Sequence, residues 1–454
     1  MHPIIEEYIA FSPGSAALAK RAASVFPGGD TRASAHYGPY PLAMDHAEGC
    51  ILTDVDGHQI IDFMNNFTSL VHGHAFPAVV EAVQTQIAQG SAYAAPNESQ
   101  VALAELIVGR VPSIEQLRFT SSGTEGTNMA LRCSRAATGR QKIMKMEGGY
   151  HGSYEQAEVA LAPIPGLRGD LEAPVSTPMD GSFPDSVLAD TVICPYNEPE
   201  IAEKLISRHA EELAAVIVEP VMGSMGMVSA TTDFLRCLRE ATQRHGIILI
   251  FDEVITLRLA QGGAQAIHGI VPDLTCMGKI IGGGLPVGAV GGRRDLMQLF
   301  SPEAERPVMH ASTFSGNALT MAAGLASLQA FDEDENLRIN DLGQRLRKGF
   351  NQAFQQSGIK GQALGSGSLS NILFVEGEVA NARQSFDSML RAGEHSKLLH
   401  LLMLQKGIAS ASRLMYCTST AMTEVEVTKA VTALHESLTE LRPFLERDHP
   451  ESLH

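Results

Sequence analysis

Between His72 and Leu325 the chain alternates helical segments with short, continuously apolar runs, and this alternation limits the folds that it can adopt. The runs QLRFT, AAVIVEPV, GIILIFDEV and DLTCMG each lie between helical segments such as ESQVALAELIVGRV and TDFLRCLREATQRHG. Runs of this length and position are typical of strands that are buried on both faces and joined in parallel by crossover helices. We therefore predict an α/β domain, in which ligands bind at the carboxyl ends of the strands.

The segments on either side of this region have a different pattern. Residues 1–71 contain a short amphipathic helix, SAALAKRAASVF, and a small meander of strands, and we expect them to join a smaller domain. Residues 72–330 form the predicted large domain, and residues 331–454 form the predicted smaller α/β domain. Within the large domain, the stretch from Ala157 to Asp190 is rich in Pro, Gly and Asp, which predicts a long loop and a candidate lid.

Composition argues against several kinds of partner and site. The formal net charge of -17 argues against non-specific binding to nucleic acid or to an anionic membrane. The N-terminus MHPIIEEYIAF lacks a secretory signal and no run is long enough to span a membrane, so we expect a cytoplasmic protein. The scattered cysteines predict reduced thiols and no metal site. They are Cys50, Cys133, Cys194, Cys237, Cys276 and Cys417.

Lys279 lies in DLTCMGKIIGGGLPVG, after a short apolar run and shortly before three consecutive glycines. One interpretation is a phosphate-binding lysine, but the P-loop pattern needs Ser or Thr after the lysine, and Ile280 stands there. A second is an ordinary surface lysine, which the apolar, glycine-rich surroundings make less favoured. A third is a nucleophilic lysine that holds the aldehyde of pyridoxal phosphate. That role requires a phosphate site, an acid for the pyridine nitrogen and a group that stacks on the ring.

Each of these companions has a candidate at the end of a predicted strand. Small residues in RFTSSGTEG open a helix whose N-terminus can bind a phosphate, although Ser122 or Thr124 alone is equally well an N-cap. In GIILIFDEV, Asp252 ends an apolar strand, where a metal-bound or salt-bridged aspartate is the alternative. In EGGYHG, Tyr150 could stack on a ring or be an ordinary loop aromatic. Val254 lies on the same side as Asp252 by strand alternation.

In this order the motifs SSGTE, EGGYHGS, IVEPVMGSMG, FDEVIT, PDLTCMGKIIGGGLPVGAVGGRRDLM and HASTFSGNALTMAAG resemble the class III (omega) aminotransferases of fold type I. The resemblance covers nearly the whole chain, from PGGDTRA onwards. It is closest to the branch that contains glutamate-1-semialdehyde aminomutase and β-phenylalanine aminotransferase. It implies a large domain with a mostly parallel, seven-stranded sheet and a smaller α/β domain.

The resemblance also implies a set of cofactor contacts. Lys279 would hold pyridoxal phosphate as a Schiff base and transfer protons, and Asp252 would pair with the pyridine nitrogen. The phosphate would be bound by Ser122, Gly123 and Thr124. The two faces of the ring would be covered by Tyr150 and Val254. We expect the glycines after Lys279 to let the backbone pass close to the cofactor.

Three further residues are assigned by the same resemblance. Thr313, in HASTFSGN, would reach the phosphate of a neighbouring subunit, so we expect a homodimer with shared active sites. Arg32, in GGDTRAS, matches the arginine that receives a substrate carboxylate in this branch. Arg413, in SASRLMY, matches a C-terminal arginine near the substrate, although its flanking residues differ.

Departures from the aminomutase pattern bear on the reaction. DEVITLRLAQGG lacks the Gly-Phe of the aminomutase, and MNNFTSLVHGHAFP lacks its Ser-Trp pair. We therefore predict an aminotransferase that moves an amino group from a β-amino or bulky α-amino acid to a keto acid by a ping-pong mechanism. The alternatives are an intramolecular aminomutase, an amino acid racemase, and a non-catalytic descendant of the fold. Intact Lys279 and Asp252 argue against the last of these.

Overall fold

The central sheet of the larger unit of the chain confirms the predicted α/β fold. In the computed structural model, which describes residues 2–454, its seven strands are Gln116–Thr120 (β1), Lys142–Met146 (β2), Thr191–Cys194 (β3), Leu213–Val218 (β4), Ile248–Asp252 (β5), Leu274–Gly278 (β6) and Gly288–Gly292 (β7). Their spatial order is β1-β7-β6-β5-β4-β2-β3. All run parallel except β7, which is antiparallel to both of its neighbours.

Burial on both faces explains why the middle strands are continuously apolar. Every residue of β4, LAAVIV, and of β5, ILIFD, is buried. The helix Gly123–Thr138 (α1) follows β1, and its apolar side packs with residues of β4, β5 and β6 in one core cluster. Since β5 is the central strand, its last residue, Asp252, emerges in the middle of the carboxyl edge of the sheet.

The larger unit comprises Pro77–Asn336 together with Val379–Phe386. Its other helices are Pro77–Gln89, Glu98–Arg110, Glu155–Glu158, Asp185–Ala189, Pro199–Arg208, Thr232–His245, Gly263–His268, Arg294–Met297 and Ala318–Ala330. Short 3-10 turns lie at Thr256–Leu259, Lys279–Gly282 and Gln298–Phe300. Two small antiparallel pairs join Gly169–Asp170 to Ala173–Pro174 and Val221–Met222 to Val228–Ser229.

The smaller unit comprises the chain up to Phe76, Leu337–Glu378 and Asp387–His454. Its strands form a four-stranded sheet of Met44–Glu48, Ile51–Asp54, Gln59–Asp62 and Ile408–Ala409, and a three-stranded sheet of Gln362–Leu364, Leu369–Leu373 and Met415–Cys417. Its helical segments are Pro3–Phe11, Pro13–Ala22, Pro27–Gly29, Ala33–Ala35, Asn65–Thr68, Gly393–Gln405, Glu424–Asp448 and Pro450–Ser452. Two helices, Glu333–Ser357 and Ala382–Arg391, include residues of both units.

The glycines that follow Lys279 serve packing between backbone segments. A Cβ on Gly283 would lie 2.4 Å from the carbonyl oxygen of Ala323, and Gly283 has a left-handed φ of +59°. From the other side, a Cβ on Gly324 would lie 2.1 Å from the carbonyl oxygen of Ile281. The helix Ala318–Ala330 therefore lies directly against the turn that begins at Lys279. This contact explains Gly283, and the expectation that the glycines let the backbone pass close to a cofactor stays a prediction.

This close contact predicts that Gly324→Ala destabilises the protein although alanine is the better helix former. The added methyl group must displace backbone, and overpacking of this kind lowers the free energy of unfolding by about 1–3 kcal/mol. Gly109→Ala is the matched control, because Gly109 lies in the helix Glu98–Arg110 and a Cβ there would meet nothing within 4 Å. That change should raise the free energy of unfolding by about 0.5–1 kcal/mol. Denaturant unfolding measures both, and a Gly324→Ala protein as stable as the parent would contradict the packing argument.

Candidate active site

Asp252 has a buried hydrogen-bond partner at the carboxyl end of β5. Its Oδ2 lies 2.8 Å from Nδ1 of His151, and both side chains are buried. Its Oδ1 accepts a 3.1 Å hydrogen bond from the backbone N–H of Val254. Burying a carboxylate is costly unless it is paired, so His151 is an essential part of this site. In the sequence, His151 stands directly after Tyr150 in EGGYHG, and no local signal pairs it with Asp252.

The N-terminus of α1 lies beside the segments that carry Asp252 and Lys279. A Cβ on Gly123, the first residue of α1, would lie 3.1 Å from a methyl carbon of Val254. A Cβ on Gly278 would lie 3.4 Å from the other methyl carbon of Val254 and 3.7 Å from Cα of Gly123. The structure therefore brings together the helix end, the residue two positions after Asp252 and the residue directly before Lys279.

Ser122 and Thr124 lie at the start of α1, where backbone N–H groups can bind an anion. Ser122 is the N-cap, and its Oγ accepts a 3.2 Å hydrogen bond from the N–H of Glu125. The capping alternative considered from the sequence is thus realised by this side chain. The Oγ1 of Thr124 accepts a 3.3 Å hydrogen bond from the N–H of Ser153, which ties the helix end to the segment after Tyr150.

Lys279 begins the 3-10 turn Lys279–Gly282, and its side chain is half-buried. Its φ is +50°, in the left-handed region that residues with a Cβ avoid. Strained backbone of this kind persists only where the surrounding structure imposes it, and it clusters at functional sites. The side chain follows β6, the strand that pairs in parallel with β5, so Lys279 and Asp252 come from adjacent strand ends.

Tyr150 lies in a turn whose backbone is fixed by a buried carboxylate, while the tyrosine ring remains accessible to solvent. Its backbone N–H donates to Oε1 of Glu219 at 2.8 Å, and the other carboxylate oxygen accepts from the N–H of Gly223 at 3.0 Å. Burial raises the pKa of the Glu219 carboxyl, an effect that nearby His151 opposes. The tyrosine side chain is 41% exposed, and its hydroxyl lies 3.0 Å from Oγ of Ser153. The ring is therefore positioned and available for stacking.

Lys145 is a functional neighbour that the sequence analysis missed. It is fully buried in β2, where its Nζ donates to the carbonyl oxygens of Gly149, at 2.8 Å, and Val159, at 2.6 Å. Burial lowers its pKa to about 7, although the carboxylates of Glu219, Glu158 and Glu147 oppose this shift. The lysine therefore fastens the turn that carries Tyr150 and His151 to the beginning of the following loop. A lysine inside the apolar run KIMKM was the available signal.

The loop between Ala157 and Asp190 is anchored by an ion pair as well. Arg383 makes two hydrogen bonds to the carboxylate of Glu147, at 2.7 and 3.0 Å. The same guanidinium donates to the carbonyl oxygens of Arg168, Gly169 and Asp170. Both ends of the pair are largely buried. Lys145 thus contacts the start of the loop and Arg383 contacts its middle, while the role of the loop as a lid stays a prediction.

The remaining predicted site residues are Thr313, Arg32 and Arg413, and all three are exposed. Thr313 is exposed, in the segment before the helix Ala318–Ala330 of the larger unit. Arg32 and Arg413 are exposed residues of the smaller unit, Arg413 in the turn before the strand Met415–Cys417. Within residues 2–454, no group of three or more His, Cys, Asp or Glu side chains is arranged to hold a metal ion. Over the same range, no helix is both long and apolar enough to cross a membrane.

These residues fit pyridoxal phosphate. A helix N-terminus is present for the phosphate, a paired carboxylate for the ring nitrogen, an accessible aromatic ring for stacking, and a lysine at the adjacent strand end for the aldehyde. Two buried polar atoms of this site, on Asp252 and His151, differ in whether they have a hydrogen-bond partner. The Oδ2 of Asp252 is bonded to His151, whereas Nε2 of His151 has no hydrogen-bond partner among the described residues.

Comparison with known proteins agrees with this geometry. The model of the class-III aminotransferase family matches residues 33–411. Glutamate-1-semialdehyde 2,1-aminomutase of Thermodesulfovibrio yellowstonii is 38% identical over 431 residues, which cover 93% of this chain and 98% of that protein. An omega-transaminase from Sphaerobacter thermophilus has a TM-score of 0.90 at 43% identity, covering 96% of this chain and 99% of that one. A β-phenylalanine aminotransferase from Variovorax paradoxus has a TM-score of 0.87 at 36% identity, covering 97% of each chain.

The site predicts that pyridoxal phosphate attaches covalently to Lys279. After reduction with borohydride, peptide mapping should find the pyridoxyl group on the peptide that contains Lys279, and Lys279→Ala should lower turnover by at least about 10²–10⁴-fold because its proton-transfer group is gone. Lys145 provides an internal control, since it is a buried lysine whose pKa is lowered to about 7 but whose Nζ is enclosed by two carbonyl oxygens. A pyridoxyl group on the Lys145 peptide would overturn the assignment.

Proposed function

We propose that this chain, which belongs to the class-III aminotransferase family, transfers an amino group from an amino acid to a keto acid at the site around Lys279. Its family membership makes it a pyridoxal-phosphate-dependent enzyme, as the sequence analysis predicted. The observation that carries the proposal is the convergence of Gly123, Val254 and Gly278. This convergence brings a helix N-terminus, the end of β5 with Asp252, and Lys279 to one place.

When bound, the cofactor supplies an aldehyde for the amino group and a ring that withdraws electrons from the substrate carbon. Asp252 would hold a proton on the ring nitrogen, and His151 would keep the carboxylate oriented through the 2.8 Å contact. The Nζ of Lys279 would take a proton from the carbon that bears the amino group and deliver it to the carbon on the other side of that nitrogen.

The other residues of the site would bind and orient. The N-terminus of α1, with Ser122, Gly123 and Thr124, would hold the phosphate. Tyr150 and Val254 would cover the two faces of the ring and exclude water from it. Because Tyr150 is fixed through its own backbone N–H to Glu219, its ring can be held in place without a bond to the cofactor.

The proposed amino donor is a β-amino acid or a bulky α-amino acid. Its carboxylate would bind Arg32, whose planar guanidinium can make two parallel charge-assisted hydrogen bonds. Phe67 lies close to that guanidinium and offers an apolar surface to the neighbouring part of the substrate. Arg413 is a second candidate for a carboxylate. The similarity to a β-phenylalanine aminotransferase supports this substrate class.

Intramolecular amino transfer is the second candidate. It is favoured by the similarity to glutamate-1-semialdehyde 2,1-aminomutases and needs no external keto acid. Against it stands the absence of the Ser-Trp pair of the aminomutase pattern from MNNFTSLVHGHAFP. The loop from Ala157 to Asp190, which Lys145 and Arg383 contact, is the candidate lid that would close over an intermediate of this reaction. A racemase is the third possibility and shares the same residues around Lys279.

A substrate panel distinguishes these reactions. Incubation of the purified enzyme with β-amino and α-amino acids, with pyruvate or 2-oxoglutarate as acceptor, should yield a new amino acid from the acceptor. Glutamate-1-semialdehyde and a single enantiomer of each amino acid without acceptor are the controls. Formation of 5-aminolevulinate without amino transfer would reverse the choice in favour of the aminomutase. Loss of optical purity alone would favour the racemase.

We also propose that the active species is a homodimer in which Thr313 reaches the phosphate of the other subunit. Around Thr313 the surface is unusually apolar, since Met309 is 66% and Phe314 is 63% exposed. Apolar side chains left so exposed near a polar residue of a predicted site are typical of an interaction surface.

This proposal predicts complementation between two defective variants. Lys279→Ala and Thr313→Ala proteins, each with strongly reduced activity, should regain activity when they are mixed, unfolded and refolded together, because each hybrid dimer contains one intact site. Two Lys279→Ala preparations treated in the same way are the control. A parent enzyme that is fully active while it sediments as a monomer would rule the shared site out.

A further inference from the structure

Four consecutive residues of the smaller unit, none of them glycine, have left-handed backbone conformation. Their φ angles are +48° at Asn65, +46° at Asn66, +55° at Phe67 and +73° at Thr68. Asparagine visits this region with little penalty, but a bulky or β-branched residue there is an outlier. A run of four such residues makes a left-handed turn. Backbone strain of this kind clusters at functional sites, where a particular conformation is needed despite its cost in stability.

Buried hydrogen bonds hold the turn in this conformation. The Oδ1 of Asp62 accepts from the N–H groups of Met64 and Asn65, both at 2.9 Å, and its Oδ2 lies 2.7 Å from Nε2 of His74. The side-chain nitrogen of Asn65 donates to the carbonyl oxygen of Cys417 at 3.0 Å. Asp62 and Asn65 are both buried. The turn is therefore fixed by hydrogen bonds on its buried side, and these bonds hold the exposed residues in the left-handed conformation.

Asn66 and Phe67 are the residues that the turn presents, and both contact Arg32. The Oδ1 of Asn66 accepts a 2.9 Å hydrogen bond from NH1 of Arg32, and the centre of the guanidinium lies 5.9 Å from the centroid of the Phe67 ring. The amide of Asn66 is oriented by a second contact, because its Nδ2 donates to Oγ of Ser69 at 3.2 Å. Ser69 in turn donates to the backbone oxygen of Asn66 at 2.9 Å.

These contacts fix the orientation of the Arg32 guanidinium without neutralising its positive charge. A neutral amide oxygen occupies one N–H of Arg32, and a ring covers part of its surface. Across residues 2–454, the ion pairs found in the structure do not include one between Arg32 and a carboxylate. A guanidinium that is positioned by neutral groups keeps its charge and its remaining donors for a carboxylate from outside the protein. An acidic residue in place of Asn66 would compete for them.

We propose that the left-handed turn Asn65–Thr68 is a device that orients Arg32, and that Asn66 is a positioning residue for recognition of the substrate carboxylate. Phe67 restricts the substrate to one whose carboxylate lies near an apolar or aryl group. This inference rests on the proposed role of Arg32 as the carboxylate receptor and adds the residues that give the receptor its direction.

Binding of a matched pair of probes to the holoenzyme tests the inference. The probes are 3-phenylpropanoate and its neutral amide, 3-phenylpropanamide, which differ in the carboxylate alone, and calorimetry gives the ratio of their dissociation constants. Asn66→Gly is the informative variant, because glycine accepts the φ of +46° without strain and removes only the side chain. It should reduce the preference for the carboxylate by about tenfold, the lower range for a hydrogen bond to a charged group.

Three further variants complete the test. Arg32→Ala should abolish the preference, and Arg32→Ala combined with Asn66→Gly should have no additional effect. Ser69→Ala keeps Asn66 but releases its amide, so it should produce part of the loss. Asn66→Asp should weaken 3-phenylpropanoate more than Asn66→Gly does, because the new carboxylate competes for Arg32.

The outcomes separate the two levels of the proposal. If the parent enzyme shows no preference, or if Arg32→Ala retains it, Arg32 is not the carboxylate receptor and the proposed substrate site is wrong. If Arg32→Ala loses the preference while Asn66→Gly keeps it, Arg32 stands and the positioning role of Asn66 is refuted. Thermal unfolding of Asn66→Gly at or above the parent's midpoint shows that the turn itself is intact.

Discussion

The site depends first on the need to satisfy the buried carboxylate of Asp252. Because β5 is the central strand of the sheet, this side chain cannot reach solvent at an edge, and loops must bring a partner to it. His151 provides that partner at 2.8 Å, and it must itself be fixed. The hydroxyl of Thr127, in α1, donates to the backbone oxygen of His151, and Lys145 and Glu219 hold the backbone on the N-terminal side of the turn. The geometry around the proposed cofactor site follows from this one pairing.

Three largely buried charged residues, Lys145, Glu147 and Arg383, anchor the loop that follows this turn. Lys145 and Glu147 are two residues apart at the end of β2, so their side chains leave the strand on the same side. Lys145 binds the first part of the loop and Glu147 binds Arg383, which contacts the middle of the loop. Removing one partner of such a buried pair costs about 3–5 kcal/mol, so the pair of Arg383 and Glu147 is a strong anchor for this part of the loop. The segment Val379–Phe386 belongs to the larger unit and brings Arg383 to this position.

The local pattern of the sequence was enough to predict the sheet and to find Lys279 and Asp252. Both residues end continuously apolar strands, and their neighbours belong to motifs that occur in a fixed order. Arg383 could not be predicted, because its partner Glu147 is 236 residues away and neither residue carries a local signal. The packing role of Gly283 could not be predicted for a related reason. Its need for space comes from the helix Ala318–Ala330, whose contact with this turn is set by tertiary packing. The contact between Arg32 and Asn66 likewise depends on a left-handed turn that propensities disfavour.

The proposed amino transfer in two half-reactions would give a reason for a strained segment beside the proposed carboxylate receptor, Arg32. The donor and the acceptor of such a cycle share a carboxylate but differ in side chain, so the group that recognises the carboxylate is used twice while its surroundings must accept two shapes. A guanidinium oriented by a neutral amide offers the same direction to both substrates and forms no competing ion pair. Rigidity obtained in advance reduces the ordering that each binding event requires. The free-energy cost of the left-handed backbone of Asn65–Thr68 is then offset during folding by the buried hydrogen bonds of Asp62 and Asn65. No part of the substrate's binding energy is needed to form this turn in each catalytic cycle.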